Sequence, residues 1–205
     1  YGQYVDIEGA YRSEHELIKR YREMALHPEA DGAIEDVVNE AIVSDLYDSP
    51  VEVELSNLNA SESIKKKIRE EFRYIKELMD FDKKSHEIFR NWYIDGRLYY
   101  LKVIDQKAPQ EGLKDLRYID PMKIKFVKVE KKKNGKDDPF VRINSAKDDS
   151  VVTPEFDEYY IYTMKPNYPT GMISQAGKGS TKIAKDSITY CTSGLVDRNK
   201  NRVLS

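Results

Sequence analysis

The stretch Phe89-Arg-Asn-Trp-Tyr-Ile-Asp-Gly-Arg97, running on into Leu98-Tyr-Tyr-Leu-Lys-Val-Ile-Asp105, decides the fold of this chain. It contains the only tryptophan, and one Asp95-Gly96 break separates apolar residues at helical spacing from a continuous apolar run. Glycine adopts the left-handed conformation that ends many helices. We therefore predict a helix over Lys83–Asp95 that leads into a central strand over Leu98–Ile104.

Apolar spacing places further elements on both sides of this junction. Ser13 and Glu16 form a capping box that predicts the start of a first helix, and a second apolar stripe follows over Ile34–Ile42. A third helix is predicted from Ser61 or Ser63, with Ile64, Ile68, Phe72, Ile75, Leu78 and Met79 facing inward. Alternating or continuous apolar runs predict strands at Val51–Leu55, Leu116–Ile119, Ile124–Val129, Phe156–Thr163 and within Ile183–Thr192, with a corner at Asp120-Pro121.

The order of these elements predicts an α+β fold in which N-terminal helices pack on a mostly antiparallel β-sheet. We expect an N-terminal arm over residues 1–12 and a domain whose helices and first strands occupy residues 13–130. Residues 131–155 are expected to form a variable insert, residues 156–192 the remaining strands, and residues 193–205 an exit from the domain.

Net charge, cysteine content and the length of the apolar runs limit the classes of protein to which this chain can belong. The 205 residues include 34 basic and 36 acidic side chains, so the net charge of −2 lacks the basic excess typical of proteins that neutralise many phosphates. The single Cys191 allows no internal disulfide, which fits a reducing compartment. No apolar run is long enough for a membrane span. The chain starts at Tyr1, and we expect it to be part of a longer protein.

No motif for catalysis, cofactor binding or metal binding survives a check of its spacing. The run Gly177-Lys-Gly-Ser-Thr181 lacks the glycine and the hydroxyl residue at the positions that a phosphate loop requires. A calcium loop starting at Asp197 has Arg202 where glycine is needed. Metal-site spacing is also missing for His15, His27 and His86, and Cys191 is expected to be a buried, inert thiol. We therefore predict a protein that is not an enzyme and has no cofactor.

The alternative to a structural role is a nucleic-acid-binding module that uses the basic arm Lys131–Lys133. Nearby acids offset this arm. Tyr99-Tyr100 and Tyr159-Tyr160 could stack bases in principle, but the side chains of each pair point to opposite faces of a strand, so each pair offers only one ring per face. Tight, strongly salt-dependent duplex binding that is lost when the three lysines are neutralised would support this alternative.

Several blocks together resemble the portal protein of T-even-like tailed phages, in order and with similar gaps over roughly residues 1–200. They are Glu16-Leu-Ile-Lys-Arg-Tyr21, Ile34-Glu-Asp-Val-Val-Asn-Glu-Ala-Ile42, Phe89-Arg-Asn-Trp-Tyr-Ile-Asp95, Leu116-Arg-Tyr-Ile-Asp-Pro121, Glu158-Tyr-Tyr-Ile-Tyr162 and Ser193-Gly-Leu-Val-Asp197. Residues 131–155 do not match the family well, and residues 167–181 match only loosely.

The resemblance implies the N-terminal wing portion of a subunit in a dodecameric ring at one capsid vertex of the virion, assembled in the host cytoplasm. Such a ring serves head assembly, DNA packaging and ejection, and attachment of neck and tail. Its partners would be identical subunits and the capsid shell. Regions outside this chain would meet the packaging motor (terminase), neck proteins and DNA. Within the wing we expect a structural hub of Phe89, Trp92, Tyr93, Gly96, Asp120 and Pro121.

Overall fold

The computed structural model describes residues 7–43, 50–130, 156–164, 180–197 and 202–205. The described chain begins with four helices, and short strands follow. The helices are α1 (Ile7–Met24), α2 (Pro28–Ala41), α3 (Glu62–Leu78) and α4 (Phe81–Asp95). The strands are β1 (Arg97–Ile104), β2 (Leu113–Ile119), β3 (Ile124–Glu130), β4 (Phe156–Thr163), β5 (Ser180–Ala184), β6 (Ile188–Thr192), β7 (Val196–Asp197) and β8 (Arg202–Val203).

Two helix boundaries match the sequence prediction closely. Ser61 is the N-cap residue of α3, and α4 ends at Asp95 with Gly96 in the left-handed conformation at φ 69°. The capping box at Ser13 is wrong, because α1 begins at Ile7 and Ser13 lies inside the helix. In sequence, Ile7 and Tyr11 continue the helical spacing that reaches Ile18, so residues 7–12 extend the helix instead of forming an arm.

The strand predicted over residues 51–55 is also wrong, because the structure gives this segment an irregular course. Its alternating Val and Glu residues satisfy the strand period, but the segment lies beside the first turns of α3. Leu55 is buried there, whereas Val51 stays exposed. Alternation alone does not supply the hydrogen-bonding neighbour that a strand requires.

The fold class is α+β, as predicted, but the main strands form two sheets. One antiparallel sheet has the order β2-β1-β6, the other has the order β3-β4-β5, and β7 pairs with β8 in a short hairpin. The strand expected within Ile183–Thr192 is divided by a 3₁₀ turn at Lys185–Ser187, which sends β5 and β6 into different sheets.

A repeated corner connects the two sheets. The chain passes from β2 to β3 through a 3₁₀ turn at Pro121–Lys123, and from β5 to β6 through the turn at Lys185–Ser187. In each case an isoleucine at or next to the end of one strand is followed five positions later by an isoleucine that begins the next strand. The pairs are Ile119 and Ile124, and Ile183 and Ile188. The same spacing therefore builds both corners, a short repeat that sequence reasoning did not detect.

The core lies between the two sheets. Each of the six main strands contributes at least one side chain to it. The buried residues are Tyr99, Ile119, Ile124, Tyr160 and Ile188, and Leu101, Tyr162 and Ile183 pack against them. The rings of Tyr99 and Tyr160 meet edge to face across the sheets at 6.1 Å. The sequence prediction centred the core nearer Phe89 and Trp92, but these two residues are only half-buried. Two facing sheets enclose more apolar surface than the single apolar stripe of α4.

Candidate functional site

A cluster of charged residues, two of them buried and three partly exposed, lies where α4 ends and β1 begins. We call it the arginine junction, and it consists of Glu14 and Arg22 from α1, Asp95 from α4, Arg97 from β1 and Asp120 from the first corner. Tertiary packing brings these residues together, because α1 lies against both α4 and β3. It is the most extensive ionic network among the described residues.

Arg22 binds two carboxylates at once. Its Nε and Nη2 donate to the two oxygens of Asp95 at 2.8 and 2.7 Å, and Nη2 also donates to Asp120 Oδ1 at 2.8 Å. The side chain of Asp95 is only 3% exposed, and it stands at the helix C-terminus, where the helix dipole disfavours negative charge. Arg22 therefore compensates a carboxylate that would otherwise be costly both to bury and to place there.

Arg97 connects pieces of the chain that are distant in sequence. Its guanidinium donates to the Asp95 carbonyl at 3.2 Å and to the Val203 carbonyl at 2.9 Å, and Nη1 lies 3.2 Å from Glu14 Oε2. With 1% of its surface exposed, it is among the most deeply buried side chains in the described part of the chain. Arginine suits this place because its planar group donates in several fixed directions.

Beside the arginine junction, the backbone at Gly96 makes close contacts with Ser193 and Leu204. A Cβ placed on Gly96 would lie 2.5 Å from the Leu204 carbonyl oxygen. Ser193 N–H donates to the Gly96 carbonyl at 2.8 Å, and the Ser193 hydroxyl donates to the Leu204 carbonyl. Glycine is thus required at position 96 both for its positive φ and for the approach of Leu204.

The first corner connects to the junction through Asp120 and His15. The Asp120 carboxylate caps the 3₁₀ turn by accepting from Met122 N–H at 3.0 Å, and His15 Nε2 lies 2.7 Å from the Met122 carbonyl. Burial pushes the pKa of Asp120 upward, but the hydrogen bonds from Arg22 and Met122 outweigh burial and hold this pKa below its usual value. Burial dominates at His15 and lowers the pKa of its imidazole. The hydrogen bonds to Asp95 and Asp120 raise the pKa of Arg22.

The structure brings only some of the predicted hub residues together. Asp120 belongs to the arginine junction, Gly96 lies between its members Asp95 and Arg97, and Pro121 is buried in the turn beside it. Phe89 and Trp92 pack on each other at 5.5 Å within α4, and the indole Nε1 is buried without a hydrogen-bond partner in the described structure. Tyr93 is 40% exposed. The role of these six residues as a hub stays a prediction.

Sequence reasoning missed four of the five members of the junction: Glu14, Arg22, Asp95 and Arg97. One signal was available, since Arg97 is a charged residue at the start of a strand in which only Lys102 interrupts the apolar and tyrosine residues that follow. The two α1 residues look like ordinary members of a charged helix face. Nothing in their spacing indicates a partner about a hundred positions away.

The other candidate chemistry does not assemble in the described residues. No group of His, Cys, Asp and Glu there could hold a metal ion. The prediction of a buried Cys191 is wrong, because its thiol is exposed on β6, an edge strand covered on fewer sides than β1. The basic arm Lys131–Lys133, residues 177–179 of the glycine-rich run and Asn199 and Asn201 lie outside the described residues. No helix that the structure describes is both long and apolar enough to cross a membrane.

The charged groups of the arginine junction pair with one another or bond to backbone carbonyls. Its two arginines are each satisfied by carboxylates or carbonyls, and its carboxylates are each engaged by arginine. A buried pair is costly to break because removing one partner leaves an uncompensated charge. The site therefore acts as a mechanical tie between α1, the α4–β1 connection, the first corner and the end of the described chain.

Comparison with known proteins gives consistent matches. The family model described as bacteriophage T4-like portal protein (Gp20) matches residues 14–205. A portal protein of Vibrio phage KVP40 is 33% identical over 88% of this chain and 33% of its own length. A portal protein of Salmonella phage ViI is 32% identical over 63% of this chain and 23% of its own length. The chain thus spans a third or less of the curated relatives that it matches.

Proposed function

Because this chain belongs to the T4-like portal protein family, we propose that it forms the wing portion of a portal subunit, a structural part of the virion. The complete subunit would assemble into a dodecameric ring at one capsid vertex. That ring would serve head assembly, DNA packaging and ejection, and attachment of neck and tail. The family match across nearly the whole chain carries this proposal.

The arginine junction favours a structural role in which the domain must stay rigid. A wing in such a ring has to keep its shape while neighbouring subunits and the shell press on it. In this chain, Arg22 and Arg97 fasten α1, the α4–β1 connection and the β7–β8 hairpin to one another. The core between the two sheets draws one residue from each main strand, which resists sliding of one sheet past the other.

We infer the extent of the wing from this packing. Residues 13–130 and 156–192, together with the first helical residues 7–12, would form one domain, with residues 131–155 as an insert. Residues 193–205, whose hairpin packs against Arg97, would lead from this domain toward the rest of the subunit. The hub residues Phe89, Trp92, Tyr93, Gly96, Asp120 and Pro121 surround the helix-to-strand connection and the first corner. Identical subunits and shell proteins would be the direct partners of this domain, while motor, neck proteins and DNA would meet other regions.

Imaging of the complete protein tests the proposal. Purified full-length protein at assembly concentrations should appear by electron microscopy as rings with a central channel. Its mass by light scattering should correspond to a large multiple of the subunit. A protein that remains monomeric at those concentrations would overturn the proposed function.

A further inference from the structure

We propose that the acidic side of α2 docks on the outer face of the β3-β4-β5 sheet in a neighbouring copy of this chain. This inference rests on the proposed function, because it assigns the surfaces through which wing portions would touch. Two observations carry it. The two surfaces match in charge and in spacing, and they lie on opposite sides of the molecule.

The outer sheet face is the side of the β3-β4-β5 sheet that points away from the core. Side chains alternate along a strand, so the core positions of Ile124, Tyr160 and Ile183 determine which residues point outward. The strand register arranges the outward side chains in rows across the sheet. The basic row is Lys125, Ile161 and Lys182, and the apolar row beside it is Val127, Tyr159 and Ala184.

This face is open and carries a positive charge. Lys182 is exposed, and Ile161 and Tyr159 at the centre of the face are only half-buried. The Lys182 ammonium lies 3.8 Å from the centroid of the Tyr159 ring, and it has no carboxylate partner among the described residues. Asp157, one pair beyond the apolar row, is the only acid among the described outward side chains.

The acidic side of α2 consists of Glu29, Asp36 and Glu40, which a spacing of seven and four residues places together. All three are exposed, and the helix contains no basic residue. The ion pairs that the structure describes for α2 use its other two acids, which bind Arg90 on the side of α4. An exposed apolar strip runs beside the acidic side and consists of Ala33, Val37 and Ala41.

The spacing of the charges on the two surfaces agrees. Glu29 and Asp36 are seven residues apart, which is about 10 Å along the helix axis. Lys125 and Lys182 are two strand spacings apart, which is also about 10 Å. A helix that lies along the rows therefore places the two acids over the two lysines, while its apolar strip covers the apolar row.

Within one copy these surfaces lie on opposite sides of the fold. The helix α2 packs on α4, and α4 packs on β1 of the other sheet. Tyr100 of β1 points away from the core, and burial together with the nearby charge of Glu87 on α4 raises its pKa to about 12. The layers therefore run from α2 through α4, the β2-β1-β6 sheet and the core to the β3-β4-β5 sheet.

A contact between opposite sides of identical chains runs head to tail, and it closes into a ring when the rotation permits it. Burial of the apolar strip and the apolar row stabilises the contact, and the charges orient the approaching copies. Two acidic sides repel each other, so the pairing of like surfaces is excluded. Salt should weaken the contact, because exposed charges are screened.

Charge reversal in the full-length protein tests the contact. Variant A carries Lys125→Glu and Lys182→Glu, and variant B carries Glu29→Lys and Asp36→Lys. In variant A both surfaces are acidic and in variant B both are basic, so each variant alone should lose the large oligomer. A mixture of the two should regain it, because every contact between an A copy and a B copy pairs opposite charges.

Matched controls reverse exposed charges elsewhere. Glu16→Lys on α1 and Lys107→Glu after β1 should leave the oligomer unchanged. Circular dichroism and thermal unfolding verify that variants A and B are folded. Masses from light scattering at low and high salt provide the readout.

Cysteine cross-linking gives a second measurement that does not depend on charge repulsion. Cys191 is replaced by serine and other accessible thiols are removed. Asp36→Cys is then combined with Lys125→Cys in one protein and with Lys182→Cys in another, because the helix can lie along the rows in either direction. One of the two proteins should yield a ladder of linked subunits on oxidation, and no single-cysteine variant should yield dimers.

The outcomes separate this inference from the proposed function. If the wild-type protein forms rings that variants A and B leave intact, or if neither cysteine pair yields a ladder, the contact is wrong and the portal role stands. Dimers from a single-cysteine variant would show that like surfaces meet, which also overturns the contact. If the wild-type protein forms no ring, the proposed function fails together with the inference.

Discussion

At the residue scale, Gly96 shows why one position can admit only one residue type. It combines a φ of 69° with a Leu204 carbonyl oxygen 2.5 Å from where a Cβ would stand. We expect Gly96→Ala to destabilise the fold by more than the roughly 1–2 kcal/mol that left-handed strain alone costs. Urea unfolding of the variant measures this loss.

Gly194 provides the control for that substitution. Its φ is 78°, but no atom lies within 4 Å of the site that a Cβ would occupy. Gly194→Ala should therefore show the cost of left-handed strain without the cost of a clash. Equal losses of stability for the two variants would mean that Leu204 does not press on position 96.

Arg22 illustrates how burial determines the value of an ion pair. Replacing it by Met leaves Asp95 3% exposed and without its cation, so we expect a loss of about 3–5 kcal/mol in unfolding free energy. The double substitution Arg22→Met with Asp95→Asn should recover part of this loss, because the uncompensated charge is removed.

The matched comparison uses Arg117, which lies 2.8 Å from its partner Asp115. Both of these side chains are exposed. Arg117→Met should cost only about 0–1 kcal/mol. Denaturant titration of all these variants measures their unfolding free energies and compares the two ion pairs. A small loss for Arg22→Met would show that the junction does not contribute to stability.

His15 makes the free energy of unfolding depend on pH in the mildly acidic range. Burial lowers the pKa of its imidazole below the ordinary 6.5, despite the opposing influence of Asp120 and Glu14 and with some help from Arg97. The unfolded chain thus binds a proton more readily than the fold. The contribution of His15 to stability is full above pH 6.5 and is lost as the pH falls through the folded-state pKa.

We therefore expect the unfolding midpoint to fall as the pH is lowered from about 7.5 toward 5. His15→Gln keeps a donor for the Met122 carbonyl and should flatten this decline. An unchanged pH dependence in the variant would assign the decline to other groups.

At the element scale, truncating an isoleucine at the first corner and one on α3 tests where the core lies. Ile124 is 4% exposed between the sheets, and Ile64 on α3 is 51% exposed. We expect Ile124→Ala to cost about 2–5 kcal/mol. The same truncation at Ile64 should remain within about 1 kcal/mol, as is usual for exposed sites. Denaturant midpoints of the two variants give the comparison, and a larger loss at Ile64 would contradict the placement of the core.

The elements also show where a sequence pattern suffices. The period of the apolar residues predicted α3, α4 and β1 well, because these elements carry long apolar patterns with a clear cap or break. It failed at residues 51–55, since a strand also needs a neighbour. It placed a strand within Ile183–Thr192, where β6 lies, but it did not detect β5, which precedes the 3₁₀ turn at Lys185–Ser187.

At the scale of the whole molecule, Arg97 connects segments that begin and end the described chain. We expect Arg97→Met to accelerate hydrogen exchange both in α1 and at the Leu204 amide, which donates to Leu195 at 2.9 Å. Both regions lose a contact with the same side chain. Exchange measured by mass spectrometry locates the change.

Arg90→Met is the control for this substitution. Arg90 binds only the two α2 acids among the described ion pairs, so its loss should accelerate exchange in α2 and α4. The Leu204 amide should be unaffected. Acceleration confined to one end of the chain in Arg97→Met would refute the tie between the two ends.

The sequence by itself determined most of the order of helices and strands, the α+β class and the family, because local periodicity and family-specific blocks are written in neighbouring residues. Only the tertiary structure decided that there are two sheets, that the core lies between them, and that Arg22 and Arg97 close a buried junction. The physical reason is that a partner for a buried charge or a strand edge can come from anywhere in the chain. Arg97 and Val203 are 106 positions apart, and no local pattern encodes their contact.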